Sequence, residues 1–163
     1  MNSIIGAVLV ICATSLAGFS LASQKKGELR TAEGFLRFVE HILIKLPSLL
    51  MMDSIFESFA DEFLEKAGFI EILCAKNSNA PCNKKFLAAI EFLREDRHLH
   101  DILCRVGAEL GVSDYRRQQD SLQAASGELK DLTQKRRETL AGSERSYKWI
   151  GFLTGALIAI LLF

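Results

Sequence analysis

Few side chains in this sequence have both the type and the spacing that chemistry requires. His98, His100 and Cys104 are its one cluster of metal-ligand types. His100 and Cys104, four apart, share a helical face, whereas His98 projects from another, and zinc needs ligands that converge on a tetrahedron. Surface histidines beside a core cysteine are the expectation, with no metal site. Cys12, Cys74, Cys82 and Cys104 contain no CxxC pair, and a reducing compartment keeps isolated thiols free, so no structural disulfide is expected.

Catalytic motifs are missing. The chain has no phosphate-cradling glycine loop, no dinucleotide fingerprint, no HExxH and no GxSxG elbow, so neither an enzyme nor a cofactor is expected. Glu57, Asp61 and Glu65 form an acidic row one turn apart, opposite an apolar stripe of Ile55, Phe56, Phe59 and Phe63. An amphipathic helix carries such a row as its solvated face; its functional use would be docking of a basic partner.

All 20 Lys/Arg and all 20 Asp/Glu residues lie between Lys25 and Lys148, so the two ends carry no side-chain charge. A membrane span takes about 20 apolar residues in a helix that satisfies its own backbone. Ile4–Ala22 meets that length, and residues 1–24 are expected to form an N-terminal anchor. Residues 147–163 form a shorter second one, in which Tyr147, Lys148 and Trp149 are suited to the headgroup level. The basic residues flanking the spans, Lys25, Lys26, Arg30, Arg145 and Lys148, all lie between them, which puts the middle in the cytoplasm and both termini outside. Ser20-Leu21-Ala22 offers a small-x-small cleavage site, but no basic n-region precedes the apolar stretch, so an uncleaved anchor is expected. A lipoprotein reading at Cys12 fails on the bulky Ile11 before it.

Residues 25–146 suffice for one small domain. Helical periodicity, only two prolines and no alternating strand pattern make it all-α. Leu29, Ala32, Leu36 and Val39 open a first helix continuing from the first span and closing at Leu46-Pro47. Asp53 caps a second helix, ended by Gly68. Lys76–Asn83 is a loop, and Asn83 caps a helix that turns Phe86, Ala89, Ile90 and Leu93 inward. Asp96 opens the next, with Leu99, Ile102, Leu103, Val106 and Leu110 on one face, and Gly111 supplies its left-handed end. From Tyr115 a long helix with Leu122, Leu129, Leu132 and Leu140 runs towards the second span. A net charge of zero, with both signs interspersed, gives no footprint for nucleic acid.

Two smaller patterns complete the reading. Gly151, Gly155 and Ala159 repeat small residues every four positions, as do Thr14, Gly18 and Ala22 in the first span. Such grooves let helix backbones approach closely, within one chain or between copies, so a homo-oligomer is among the expected assemblies. Leu110-Gly111-Val112-Ser113-Asp114 builds a helix corner: Gly111 ends one helix, Ser113 or Asp114 caps the next, and Gln118 can hydrogen-bond back across the turn.

That LG-x-SD segment followed by Gln118, with Gly6-Ala7-Val8-Leu9 opening the first span and the run Tyr147–Gly155 opening the second, resembles the stage III sporulation protein AB family. The resemblance implies a subunit of the multiprotein channel between mother cell and forespore. It also implies a cytoplasmic domain like the six-helix bundles of type II secretion platform proteins, which work beside a secretion-type ATPase. Its partners would be other channel subunits, that ATPase among them, and the membrane. The expected function is thus a non-enzymatic scaffold on the cytoplasmic face of the mother-cell membrane. A small metal or redox sensor using His98, His100 and Cys104, and a secreted or tail-anchored helical protein, are the alternatives.

Overall fold

The computed structural model describes the backbone of residues 2–48, 50–75, 80–93 and 96–162; side chains at 2–15, 17, 18, 143–148, 150–152, 154–156 and 158–162 lie outside the described residues. Every regular element among them is helical. Helix α1 spans Asn2–Lys45 and is followed by a 3-10 turn at Leu46–Ser48. Helices α2 (Met52–Glu57), α3 (Glu62–Lys66) and α4 (Phe69–Leu73) are short, whereas α5 (Cys82–Leu93), α6 (Arg97–Glu109) and α7 (Tyr115–Leu162) are longer. Two compact units result: Arg30–Gln134, and Met1–Leu29 with Lys135–Phe163.

In the first of these units the core is built around aromatic rings. Phe38 is fully buried, with its ring centroid 5.0 Å from Phe59, 5.5 Å from Phe69 and 5.9 Å from Phe86. Phe35 meets Phe69 edge-on at 4.9 Å. Edge-to-face pairs at these separations place positive ring edges on negative ring faces and contribute beyond the area they bury. From α1 the core receives Ala32, Phe35, Phe38, Val39 and Ile42, so the stripe expected from Leu29, Ala32, Leu36 and Val39 is shifted: Leu36 is only partly buried, and Leu29 lies in the other unit. Leu99, Ile102, Leu103, Val106 and Leu110 are buried together as their spacing predicts. Leu122 and Leu129 of α7 close the core, with Leu132 partly buried at its edge.

The expected single helix from Asp53 to Gly68 is instead two. The helix stops after α2, where the Ser58 hydroxyl donates to the Ile55 carbonyl at 2.8 Å. Asp61 then adopts an extended backbone, φ −145° and ψ 114°, and caps α3 with its side chain. Asp53 is no cap: the residue before α2 is Met51, and it makes no side-chain cap bond. Gly68 has φ +80° and separates α3 from α4. Helix α5 also begins earlier than expected, at Cys82, with the Pro81 carbonyl accepting from the Lys84 and Lys85 N–H groups. A proline fits there because it has no N–H to leave unpaired and its φ is pre-set. Of the predicted loop, residues 76–79 lie outside the described residues.

In the second unit, Lys25 pairs with Glu28 at 2.8 Å and Arg136 Nη1 donates to the Glu28 carbonyl at 2.6 Å. Leu16, Phe19, Leu21, Trp149, Leu153 and Leu157 stand exposed. Among the described residues no helix is long and apolar enough to cross a membrane. The spans expected at residues 1–24 and 147–163 fall largely on side chains outside the described residues.

Candidate functional site: a helix corner and a charged cleft

The corner between α6 and α7 is built as a closed turn. Asp96 opens α6 through Oδ1, which accepts from the His98 and Leu99 N–H groups at 2.7 and 3.1 Å, and the helix ends at Leu110. Gly111 follows with φ +70°, a conformation that costs any residue with a Cβ. The Asp114 carbonyl accepts the Gln118 N–H at 3.0 Å, which makes Asp114 the backbone cap of α7. Gln118 is buried, and its side-chain amide donates to the Ser113 carbonyl at 2.8 Å, the hydrogen bond across the corner that its position predicts. The Ser113 hydroxyl does something else: it donates to the Glu109 carboxylate, which also pairs with Arg117 Nε at 3.2 Å. Ser113 thus ties the end of α6 rather than capping α7.

A fold-specific feature lies beneath this turn. A Cβ built on Gly111 would sit 2.3 Å from Cys82 Sγ. The thiol itself donates to the Leu110 carbonyl at 3.7 Å, so the first residue of α5 packs into the corner. Burial, with Asp53 nearby, raises the Cys82 thiol above its ordinary range. Cys74 is raised by burial and by Glu57, and Cys104 by burial and by Asp101. All three are free thiols, poor in the thiolate that redox or nucleophilic chemistry needs.

The second feature is a cleft of about 430 Å³ lined by Arg30, Glu33, Arg37, Asp61, Glu62, Phe63 and Lys66. Arg30, Glu33 and Arg37 of α1 face α3 and its cap Asp61 across it. Arg37 Nε donates to Asp61 Oδ2 at 2.9 Å with Nη2 on the same oxygen, while Asp61 Oδ1 accepts the Phe63 and Leu64 N–H groups, both at 3.1 Å. Burial pushes the Asp61 carboxyl up, but the Arg37 hydrogen bonds and those from Leu64 and Phe63 outweigh it, and it titrates below the usual aspartate value. The Arg30 guanidinium lies 5.9 Å from the Phe63 ring centroid, and Lys66 pairs with Glu62 at 2.6 Å. Charge therefore balances within the cleft.

The acidic row of Glu57, Asp61 and Glu65 does not exist as one helix face. Glu57 ends α2, Asp61 is a buried cap outside α3, and only Glu65 lies within α3. The period was right for a continuous helix, but an aspartate that takes two backbone N–H groups and an arginine from another element is held in the extended conformation that breaks it. Arg37 was missed because its partner is 24 residues away. One local signal was present: Asp61 precedes Glu62 and Glu65, with Lys66 closing the segment, the charge order of a short helix with its own start and stop.

His100 and Cys104 do meet, with Sγ 3.5 Å from Nδ1, while His98 is exposed. Among the described residues no group of three His, Cys, Asp or Glu could hold a metal ion. Of the small-residue faces, Ala22 is buried, whereas the side-chain surroundings of Thr14, Gly18, Gly151, Gly155 and Ala159 lie outside the described residues.

A bundle of helices around an aromatic core, with Asp61, Asp96 and Gln118 engaged in caps and turns, defines a structural class of all-α protein. The stage III sporulation protein AB family model matches residues 52–163, well over half of the chain, and the chain belongs to that family, which gives it a sporulation-related role. No curated protein and no solved structure matches it.

Proposed function

We propose that the protein is a non-enzymatic membrane scaffold of a channel between mother cell and forespore, its bundle held at the cytoplasmic face to bind partner proteins. A secretion-type ATPase is the partner class this reading favours, and a platform-protein-like bundle is the corresponding fold. The observation that carries it is the segregation of charge: every Lys, Arg, Asp and Glu lies within Lys25–Lys148. At the uncharged ends Leu16, Phe19, Trp149, Leu153 and Leu157 expose apolar side chains, which lipid would cover favourably. Family membership supports the process. The absence of a catalytic motif and the raised thiols of Cys74, Cys82 and Cys104 support a binding role over chemistry.

A reporter active only in the cytoplasm tests the topology. It should work when inserted between Ala75 and Ala80 and fail at either terminus; activity at the C-terminus sinks the two-span reading. Gly155→Leu should stall sporulation while the protein still accumulates in the membrane, since Leu is at least as apolar but fills a helix-packing groove. Replacing His98, His100 and Cys104 together by Ala should leave spore yield unchanged; loss of spores from a folded triple variant would favour the sensor reading.

A further inference from the structure

Within Arg30–Gln134 the described residues leave six large apolar side chains exposed, and five of them, Ile44, Leu50, Met51, Val112 and Tyr115, belong to segments that meet at one end of the bundle. Their shared location follows from contacts. Arg136 of α7 meets Glu28 of α1 and, earlier on α7, Lys130 meets Glu40, later on α1, at 2.8 Å, so the two helices run antiparallel and the start of α7 lies towards the end of α1. Lys85 Nζ holds Asp53 at 3.3 Å, which ties the start of α5 to α2, just after Leu50 and Met51. Cys82 Sγ reaches the Leu110 carbonyl, which ties the same end of α5 to the turn bearing Val112 and Tyr115. Met51 is 81% exposed and Val112 66%, so the two project as apolar knobs from separate elements. Monomeric surfaces scatter such residues singly; gathering at one end marks a contact.

The rim states what kind of contact. Lys45, Lys84 and Arg116 have no ion partner among the described residues. Of the carboxylates nearby, Asp53 is paired with Lys85 and Glu109 with Arg117; Asp114 and Glu57 have no ion pair among the described residues, but Asp114 sits at the positive end of α7 and Glu57 shares a small cleft with Lys85. Unpaired cations around apolar knobs fit a segment with carboxylates beside its own apolar residues. Anionic lipid fits less well, because a continuous anionic surface would also meet the exposed carboxylates of Asp53 and Asp114, whereas a peptide segment can place its own carboxylates at Lys45, Lys84 and Arg116 alone. A second copy docked face to face would set Lys45, Lys84 and Arg116 against themselves.

We propose that this end of the bundle docks a protein partner through an apolar segment flanked by carboxylates. The placement does not depend on how many times the chain crosses a membrane, so it stands or falls apart from the topology test above. The test uses the full-length protein in sporulating cells, with benzoylphenylalanine replacing Met51, Val112 or, as a control on exposed α7, Gln123. Light should join positions 51 and 112, and not 123, to one protein, with the joined peptide carrying Asp or Glu beside apolar residues. Charge reversal by Lys84→Glu with Arg116→Glu should lower that yield about tenfold; if the reversed protein does not accumulate, Lys84→Gln with Arg116→Gln should still lower it. Adducts to lipid or to a second copy, no adduct at 51 and 112, or a yield indifferent to both charge variants would each overturn the proposal.

Discussion

The sulfur of Cys82 occupies the space where a side chain at residue 111 would begin: a Cβ on Gly111 would lie 2.3 Å from it, at a backbone φ of +70°. Gly111→Ala therefore meets two costs, the left-handed conformation and the collision, and should destabilise by about 2–4 kcal/mol. In a Cys82→Gly background, where the thiol and its bond to Leu110 are absent from both members of the comparison, Gly111→Ala should show the conformational part alone. Thermal unfolding in the two backgrounds separates them, and a Gly111→Ala single variant melting within a degree of wild type would refute the packing of α5 into the corner.

Gly107 and Gly127 should respond oppositely to the same substitution. A Cβ at Gly107 would come 2.9 Å from the Phe86 ring and 2.7 Å from Leu87, whereas Gly127, exposed on α7, has nothing within 4 Å. Gly127→Ala should stabilise by about 0.5–1 kcal/mol through helix propensity. Gly107→Ala gains the same propensity but overpacks the α5–α6 contact against a buried ring, so it should lose about 1–3 kcal/mol. Denaturant midpoints of both variants check the pair of signs.

Asp61 makes stability depend on pH. Its pKa is lowered in the folded protein, so the unfolded state binds the proton more readily, and the stabilisation is present above the ordinary aspartate value and lost as pH falls through the depressed one. Asp61→Asn keeps a capping oxygen but loses the charged pair with Arg37. The stability gap between wild type and Asp61→Asn should be widest near neutral pH and shrink below about pH 4. Urea titrations at a series of pH values measure it; a gap that grows on acidification would show the sign to be wrong.

Cys74, Cys82 and Cys104 should resist alkylation. Burial raises all three thiols, so little thiolate forms at neutral pH. In a Cys12→Ser background, modification by iodoacetamide at pH 7 should be slow in the folded protein, with the three sites reacting quickly after unfolding. Rapid modification of any one in the folded state would reopen a chemical role for it.

Much of this architecture is legible in the sequence because it is locally encoded. Leu99, Ile102, Leu103, Val106 and Leu110 recur at the helical period, Asp96 can satisfy N–H groups two and three residues on, and Gly111 accepts a φ that other residues resist; each needs only its neighbours. Gln118 was readable for the same reason, its partner Ser113 lying five residues back. Tertiary structure decided the rest. Periodicity describes residues 53–68 as one amphipathic helix, and Arg37, arriving from α1, joins the local Phe63 and Leu64 N–H groups in holding Asp61 in the extended cap that splits it. Phe38 gains its central place from rings on three other segments, and Gly107 and Gly111 are constrained by Phe86 and Cys82 of a different helix. Helix existence follows from spacing along the chain, whereas breaks, close approaches and ion pairs depend on which elements share a core, and that is settled only when the apolar faces have chosen one another.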